Sequence, residues 1–429
     1  MMEQETRIII AGGGPAGIFA ALSAAQLPDD ILILDGNIKL CRKLSATGNG
    51  RCNITNRYIS FEKYHGTNNK FVNNVLSRFT NEDLLDWFRD LGCEFKEEEK
   101  GRIFPVTDQA ATIVDILLEQ LELKKIRCLE NRPVASAEKR PDGKFVVRTA
   151  TGEILFSVSL IIATGGPTYP QLGSTGDGFR LAESFGHTVV PPLPCLVGFE
   201  IHDKALFDLQ GVQIRAGVTA WQNRKMVAAA EDELMFTHYG LSGPALFDLS
   251  SLIIRDLKPD NTHLVLNFFP DRSQKEVEER IAQIWQAHPE RRLANSLIGL
   301  LPKKLGQVLM RNLLHLDLTM PVGNISKNIR KEIVQVFTEL KVNLKAPLSF
   351  REAQVTSGGV STDKIDPRTM GSQICPGLFF AGEVLDINGD CGGYNLQFAF
   401  SSGRLAGLSA ADFSQNQDLR INEKHNHVD

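Results

Sequence analysis

The sequence predicts an α/β fold whose parallel-sheet domain is assembled from both ends of the chain and interrupted by an insert of strands and then helices. Three observations predict it. A short apolar run, Arg7 to Ala11, leads directly into Gly12, Gly14 and Gly17 and then a helical pattern. Glycine-rich strand-to-helix punctuation returns after Phe350. Between the two, Pro191, Pro192 and Pro194 mark a change of character.

Taken in order, Arg7 to Ala11 has the unbroken apolar character of a buried parallel strand. A helix follows from Gly14 to about Leu27, with Pro15 at its first position, where the missing N–H is no loss. Ile31 to Leu34 is the next strand and ends at Asp35. A Gly-, Asn- and Arg-rich loop covers Arg42 to Arg57, before helical stretches at Asn69 to Leu91 and Ala110 to Leu123. Pro133 to Glu138 and Lys144 to Thr149 read as paired strands around the Pro141-Asp142-Gly143 turn. Leu160 to Ala163 is a further buried strand. Strand-like pieces from Val197 to Phe269 are broken by a helix after Ser242, and Gln274 to Leu340 is helical. Finally, Gly377 to Ala381 reads as a strand and Asn395 to Ala411 as a small-residue helix. The expected domains are residues 1–194 with 350–414, a β-rich insert at 195–272, a helical insert at 273–349, and a frayed polar tail at 415–429.

Composition narrows the function classes. A net charge of −4 and a pI near 6.2 give no overall electrostatic footprint for nucleic acid or anionic membrane, so neither is expected as a partner. Neither a leader peptide nor an apolar run of spanning length is read. The seven cysteines are scattered and form no C-x-x-C pair, so reduced thiols in a cytoplasmic protein are expected, with no metal site.

Gly12, Gly14 and Gly17 form GxGxxG between a strand and a helix. In that position the first glycine makes the tight turn, the second admits a pyrophosphate, and the third lets helix and strand pack closely. The helix N-terminus, which Pro15 shapes and where Ala16 follows, offers unpaired N–H groups and partial positive charge to phosphate. Asp35 and Gly36 stand at the end of the second strand, where a carboxylate accepts ribose hydroxyls. This is a Rossmann-type dinucleotide site. The far end favours FAD over NAD. Gly377-Leu-Phe-Phe-Ala-Gly382-Glu383 sets a carboxylate at a strand end, and Gly389 to Leu396 opens a helix whose N-terminus would stabilise a reduced flavin. Ala163-Thr164-Gly165-Gly166 and the Gly173 to Gly178 turn with Asp177 fit the same site, although each alone is an ordinary loop.

The run Arg42-Lys43-Leu-Ser-Ala-Thr-Gly-Asn49-Gly50-Arg51-Cys52-Asn53-Ile-Thr-Asn56 resembles the hallmark of the BaiN/YhiN-like family of NAD(P)/FAD-dependent oxidoreductases. Gly101 to Asp108, Phe236 to Pro244 and Gly382 to Asp386, with the following Gly-Gly-Tyr-Asn-Leu-Gln, resemble it too. The resemblance implies an FAD domain with a β-barrel-like and a helical insert, and distant kinship to fumarate-reductase-type flavoproteins. It implies that Asp177 contacts FAD, Glu383 holds ribityl hydroxyls, and Asn395 and Leu396 bring N–H groups to the pyrimidine edge beyond Gly393. It also implies that Arg42 and Lys43 lie near the adenosine and pyrophosphate and that Val134 meets the adenine by its backbone. No dicarboxylate-binding His/Arg set is found, which speaks against a fumarate-like substrate.

Asn49, Arg51 and Asn53 are candidates to line the isoalloxazine, or else simply build their loop, with Thr356, Gly358 and Gly359 closing the other side. For proton transfer the candidates are His238 and Tyr239, in a glycine-rich motif that can equally be structural. Tyr169 and Tyr394 rank behind them. Cys52 and Cys391 would be a redox pair only if brought together. No second dinucleotide fold is read, so NAD(P)H would bind transiently over the flavin. The expected activity is hydride transfer between flavin and a small organic substrate. The alternatives are an oxygen-using amine or ketone oxidase, a flavin-dependent RNA-modifying protein, and an FAD-loaded binding protein.

Overall fold

The computed structural model describes residues 4–25, 30–68 and 70–426. They form two compact units, 1–193 with 354–429, and 194–353.

Among the described residues, the first unit is built on a seven-stranded sheet. Arg127–Leu129, Ile31–Leu34, Gln4–Ala11 and Ile154–Ile162 lie side by side and parallel. Ile154–Ile162 then serves two partners. Its first half pairs antiparallel with Phe145–Thr149, which pairs in turn with Val134–Lys139. Its second half pairs parallel with Leu378–Phe380, the strand from the far end of the chain. Ile8, Ile9, Ile10, Ile31, Leu32, Ile33, Leu160, Ile161 and Ile162 are fully buried, as the continuous apolar runs require of a sheet covered on both faces.

The two ends are joined by helix packing as well. Pro15–Ser23 lies against the helix Tyr394–Asn426 at very short range. A Cβ on Gly403 would come within 2.3 Å of the Ala16 carbonyl oxygen, and one on Gly407 within 2.0 Å of that of Ala20. Small residues at this seam let the backbones approach. Two expectations change here. The first helix ends at Ser23, Ala24 caps it, and residues 26 and 27 of the expected extension lie outside the described residues. The last helix continues to Asn426, so the tail expected to fray is helical to that point; no Gly or Pro follows Gly407 to interrupt it.

The stretch expected to be helical from Asn69, itself outside the described residues, is two helices, Lys70–Leu76 and Asn81–Arg89. The second starts at a capping box in which Thr80 and Asp83 satisfy each other's backbone N–H groups. Phe95–Glu98 and Arg102–Pro105 form a hairpin beside Thr55–Asn56 that the hydrophobic pattern does not announce.

The second unit is a closed six-stranded barrel with helices. Phe199–Ile201, Gly240–Ser242, Lys225–Phe236, Gln213–Gln222, Thr262–Asn267 and Leu340–Pro347 follow one another around it. The sixth strand therefore comes from after the helices, inside the stretch expected to be the helical insert. Alternation in Leu340–Pro347 buries Leu340, Val342 and Leu344. Helices Gln274–Ala287, Lys303–Asn312 and Lys327–Thr338 fill the intervening sequence.

Candidate functional site

The GxGxxG turn is shaped by contacts that only glycine permits. Gly12 has φ of +109°, and a Cβ there would sit 2.4 Å from the Ala163 carbonyl oxygen. A Cβ on Gly17 would lie 1.9 Å from the Gly12 carbonyl oxygen, so the helix is seated directly on the turn. Around Gly14 the space is open. Gly14 precedes Pro15 without any side-chain cap, which leaves the first-turn N–H groups facing that opening. Ala16 is buried against Gly382 and Gly403.

Asp35 is buried, and its carboxylate accepts the Gly13 N–H at 2.6 Å and the Asn37 N–H at 2.7 Å. The acid thus ties the turn to the end of the second strand, with lone pairs remaining for a further donor. Gly36 packs on Pro133, beside the buried Val134. Arg42 donates to Asn37 Oδ1 at 3.1 Å and to the Gln171 carbonyl at 3.2 Å.

Both ends of the chain meet at Glu383. Its Oε2 accepts from Lys43 Nζ at 2.6 Å, while Oε1 accepts the Thr168 hydroxyl at 2.9 Å and the Thr356 N–H at 2.9 Å. Lys43 also donates to Thr168 Oγ1 at 2.6 Å. Each member of the ion pair is 20% exposed, so the charges are largely desolvated and mutually dependent.

The second glycine turn, Asp390 to Gly393, opens the long C-terminal helix. Gly393 has φ of +94°, and a Cβ there would fall 2.4 Å from the Thr55 carbonyl oxygen. The Asn395 side chain is used locally, accepting the Gly389 N–H at 2.8 Å and donating to the Gly389 carbonyl at 2.9 Å. What Asn395 and Leu396 have to offer a ligand is therefore backbone N–H at a helix start.

Two buried acceptors near these turns lack partners, Asn53 Oδ1 and Thr164 Oγ1. Buried polar atoms left unpaired are costly, so both suit a ligand that brings donors. Thr164 follows the Ile154–Ile162 strand and abuts Gly178, next to the exposed Asp177, which accepts the Thr175 hydroxyl at 2.5 Å. Gly165 has φ of +74° and open surroundings. Asn49 and Gly50 are exposed and left-handed, at +55° and +82°. Together, the open Gly14 turn, its uncapped helix start and two orphaned acceptors fit an elongated anionic dinucleotide.

Other candidates are placed differently. Arg51 is held by Glu98 and Asp108, each at 2.5 Å, and its guanidinium lies 4.2 Å from the centre of the Phe104 ring. Lys96 completes this network by pairing with Asp108. Arg51 therefore braces the loop against the Phe95–Pro105 hairpin instead of standing free. Tyr394 is buried, and its carbonyl accepts the Tyr64 hydroxyl at 2.9 Å. Cys52 is buried with its thiol pushed up to about 12, first by desolvation. None of the seven cysteines is in a disulfide, so Cys52 and Cys391 do not form one. His238 and Tyr239 belong to the barrel unit, on the turn between two of its strands, with ring centres 5.1 Å apart and edge to face.

Reading the sequence also missed a segment. Lys63 to Thr67 is laced to residues 386–394 by backbone and side-chain bonds, including Thr67 N–H to Asp386 Oδ2 at 2.9 Å and His65 Nε2 to Asp390 Oδ1 at 2.6 Å. No periodicity or motif flags it, because its partners are more than 300 positions away.

A family model described as the HI0933-like protein Rossmann domain matches residues 6–409. The chain belongs to this HI0933-like family. That is the BaiN/YhiN-like group indicated by the motifs at residues 42–56 and 382–397. The chain is 34% identical over 409 residues to a 3-dehydro-bile acid delta(4,6)-reductase of Clostridium scindens (strain ATCC 35704 / DSM 5676 / VPI 13733 / 19), covering 95% of this chain and 99% of that one. It is 33% identical over 413 residues to a ribosomal RNA dihydrouridine synthase of Haemophilus influenzae, again covering 95% and 99%. Among solved structures, an open-conformation flavocytochrome c3 fumarate reductase is similar at 15% identity and a TM-score of 0.49, over 96% of this chain and 79% of that one.

Proposed function

We propose that this HI0933-like protein is an FAD-dependent oxidoreductase that saturates a C=C bond conjugated with a carbonyl group, with a nicotinamide as the transient reductant. The observation that carries the reading is the Lys43–Glu383 ion pair, which joins the two ends of the chain where Gly382 packs on Ala16 at the uncapped helix start after Gly14. The relatives' names support the bond type. A 3-oxo-4,6-diene and a uracil ring both hold a C=C conjugated with a carbonyl, and each relative's name is of an activity that reduces it.

In this reading the Gly14, Ala16 and Gly17 N–H groups, on a helix whose first turn Pro15 shapes, hold the pyrophosphate, with Arg42 and Lys43 supplying positive charge. Asp35 and Gly36 receive the adenosine ribose, and Val134 meets the adenine. Glu383, beside Gly382, accepts ribityl hydroxyls. Asn49, Gly50, Asn53, Thr164, Gly165 and Asp177 line the remainder. Gly393, Asn395 and Leu396 direct N–H groups to the pyrimidine edge, where negative charge builds on reduction. When bound, FAD supplies the hydride chemistry. His238 and Tyr239 stay candidates for the proton, and Arg51 acts through the loop it braces. Among the described residues no helix is long and apolar enough to cross a membrane, and we place the activity in the cytoplasm.

Anaerobic mixing with NADH or NADPH tests the reading. The flavin band of the purified protein is expected to bleach and to recover on addition of an enone. A protein that is colourless and cannot be reconstituted with FAD would sink it. A second reading, uridine in ribosomal RNA as the substrate, is favoured by the near full-length match to the Haemophilus influenzae relative. Recovery of the band with unmodified ribosomal RNA but not with small enones selects it.

A further inference from the structure

Resting on the proposed flavin site, we infer that Lys63 and His65 are positioning residues that hold the Asp390 carboxylate away from the start of the C-terminal helix. The N–H groups there are then kept for the cofactor.

A carboxylate just before a helix is the natural competitor for that helix's free N–H groups. Asp390 is such a group, three positions before Gly393, whose carbonyl already accepts the Gln397 N–H as the helix begins. Yet its side chain does not cap. His65 Nε2–H donates to Asp390 Oδ1 at 2.6 Å, and Lys63 Nζ stands 3.3 Å from Oδ2. Both oxygens are directed to the strap, and the aspartate is only 16% exposed.

The strap is built to hold that position. The Asp390 N–H donates to the Lys63 carbonyl at 2.9 Å, His65 bridges Asn388, and Tyr64 bridges Gly389. Thr67 donates to Asp386 from both its N–H and its hydroxyl, and the Tyr64 hydroxyl reaches the Tyr394 carbonyl at 2.9 Å. Gly66 fits so closely that a Cβ would lie 2.2 Å from the Asp386 carbonyl oxygen. Uncompensated negative charge at this turn would oppose both FAD binding and its reduction, since each places negative charge near the helix start.

The test uses the FAD-loaded full chain and reads the FAD dissociation constant and the reduction potential of the bound flavin. His65→Leu is expected to weaken FAD binding by about tenfold and to lower the potential, the scale of a lost helix-start interaction. The double variant His65→Leu with Asp390→Asn is expected to recover most of both, because the competing charge is gone. Lys63→Met should shift both readings in the same direction as His65→Leu, by less. Unchanged affinity and potential in His65→Leu overturn the inference. So does a loss that Asp390→Asn does not rescue, which would make His65 merely structural. If His65→Leu does not fold, a folded, FAD-binding double variant supports the inference and an unfolded one overturns it. Failure of the wild-type chain to bind FAD is a different result and removes the proposed function itself.

Discussion

The ammonium of Lys43 stands 2.6 Å from a carboxylate oxygen of Glu383, a residue 340 positions further along the chain. One residue follows the first glycine turn and the other follows the last strand of the same sheet, so the pair fastens the two ends of the chain across the candidate site. Lys43→Met should leave Glu383 with only hydroxyl and N–H donors. A loss of about 1–3 kcal/mol in urea unfolding is expected, together with weaker FAD binding by fluorescence titration. Unchanged values for both would mean that the pair is incidental.

Gly14 and Gly17 separate cofactor binding from folding. Gly14→Ala puts a methyl group into open space at a φ of −81°, so the melting temperature should hold while FAD affinity falls about tenfold or more. Gly17→Ala drives a methyl group into the Gly12 carbonyl and should reduce soluble, folded protein outright. Equal melting temperatures for the two variants would contradict the packing described.

Acidification has a defined first effect. His187 is buried with Nδ1 unpartnered, Nε2 2.7 Å from Ser372 Oγ and its ring edge-on to Phe380, and desolvation lowers its pKa below the usual 6.5. The unfolded chain therefore takes up a proton near pH 6.5 that the folded chain refuses. This contribution is intact above that pH and is lost as pH falls through and below it. The lowered carboxylates, such as Asp83 and Asp366, act only in a more acidic window. Urea midpoints at pH 7.5 and 5.5 should differ in the wild type and differ less in His187→Phe.

At the alkaline end the buried thiols act in the opposite direction. Cys52 is raised from 9.0 to about 12, chiefly by desolvation, so the folded state holds its proton where the unfolded state releases it. Stability is complete below about pH 9 and declines between 9 and 12. Iodoacetamide at pH 8 should label Cys52 in urea and leave it unmodified in the native protein, as mapped by mass spectrometry. Rapid native labelling would reopen a redox role.

Much of the first unit was legible from local pattern. Arg7 to Ala11, Ile31 to Leu34 and Ala110 to Leu123 fall where unbroken apolar runs or helical spacing put them, because burial on both sheet faces or on one helix face writes itself into neighbouring residues. The hairpin at 95–105 was not legible: Phe95–Glu98 is charged and only partly buried, and its strand character comes from pairing with Arg102–Pro105. The same holds for the sixth barrel strand, which reaches its partners only after the helices have intervened.

By itself the sequence determined which backbone positions must be glycine and which carboxylates end strands, since turn geometry and strand termini are properties of a few consecutive residues. It therefore determined the two-ended Rossmann architecture. Only the tertiary structure decided which charges are free. Arg51, a candidate either to line a ring or to build its loop, is paired with Glu98 and Asp108, while His65, unremarkable in its own segment, is set against Asp390. Charge pairing acts through space over a few ångströms and leaves no period in the chain, so no reading of neighbours could have assigned those partners.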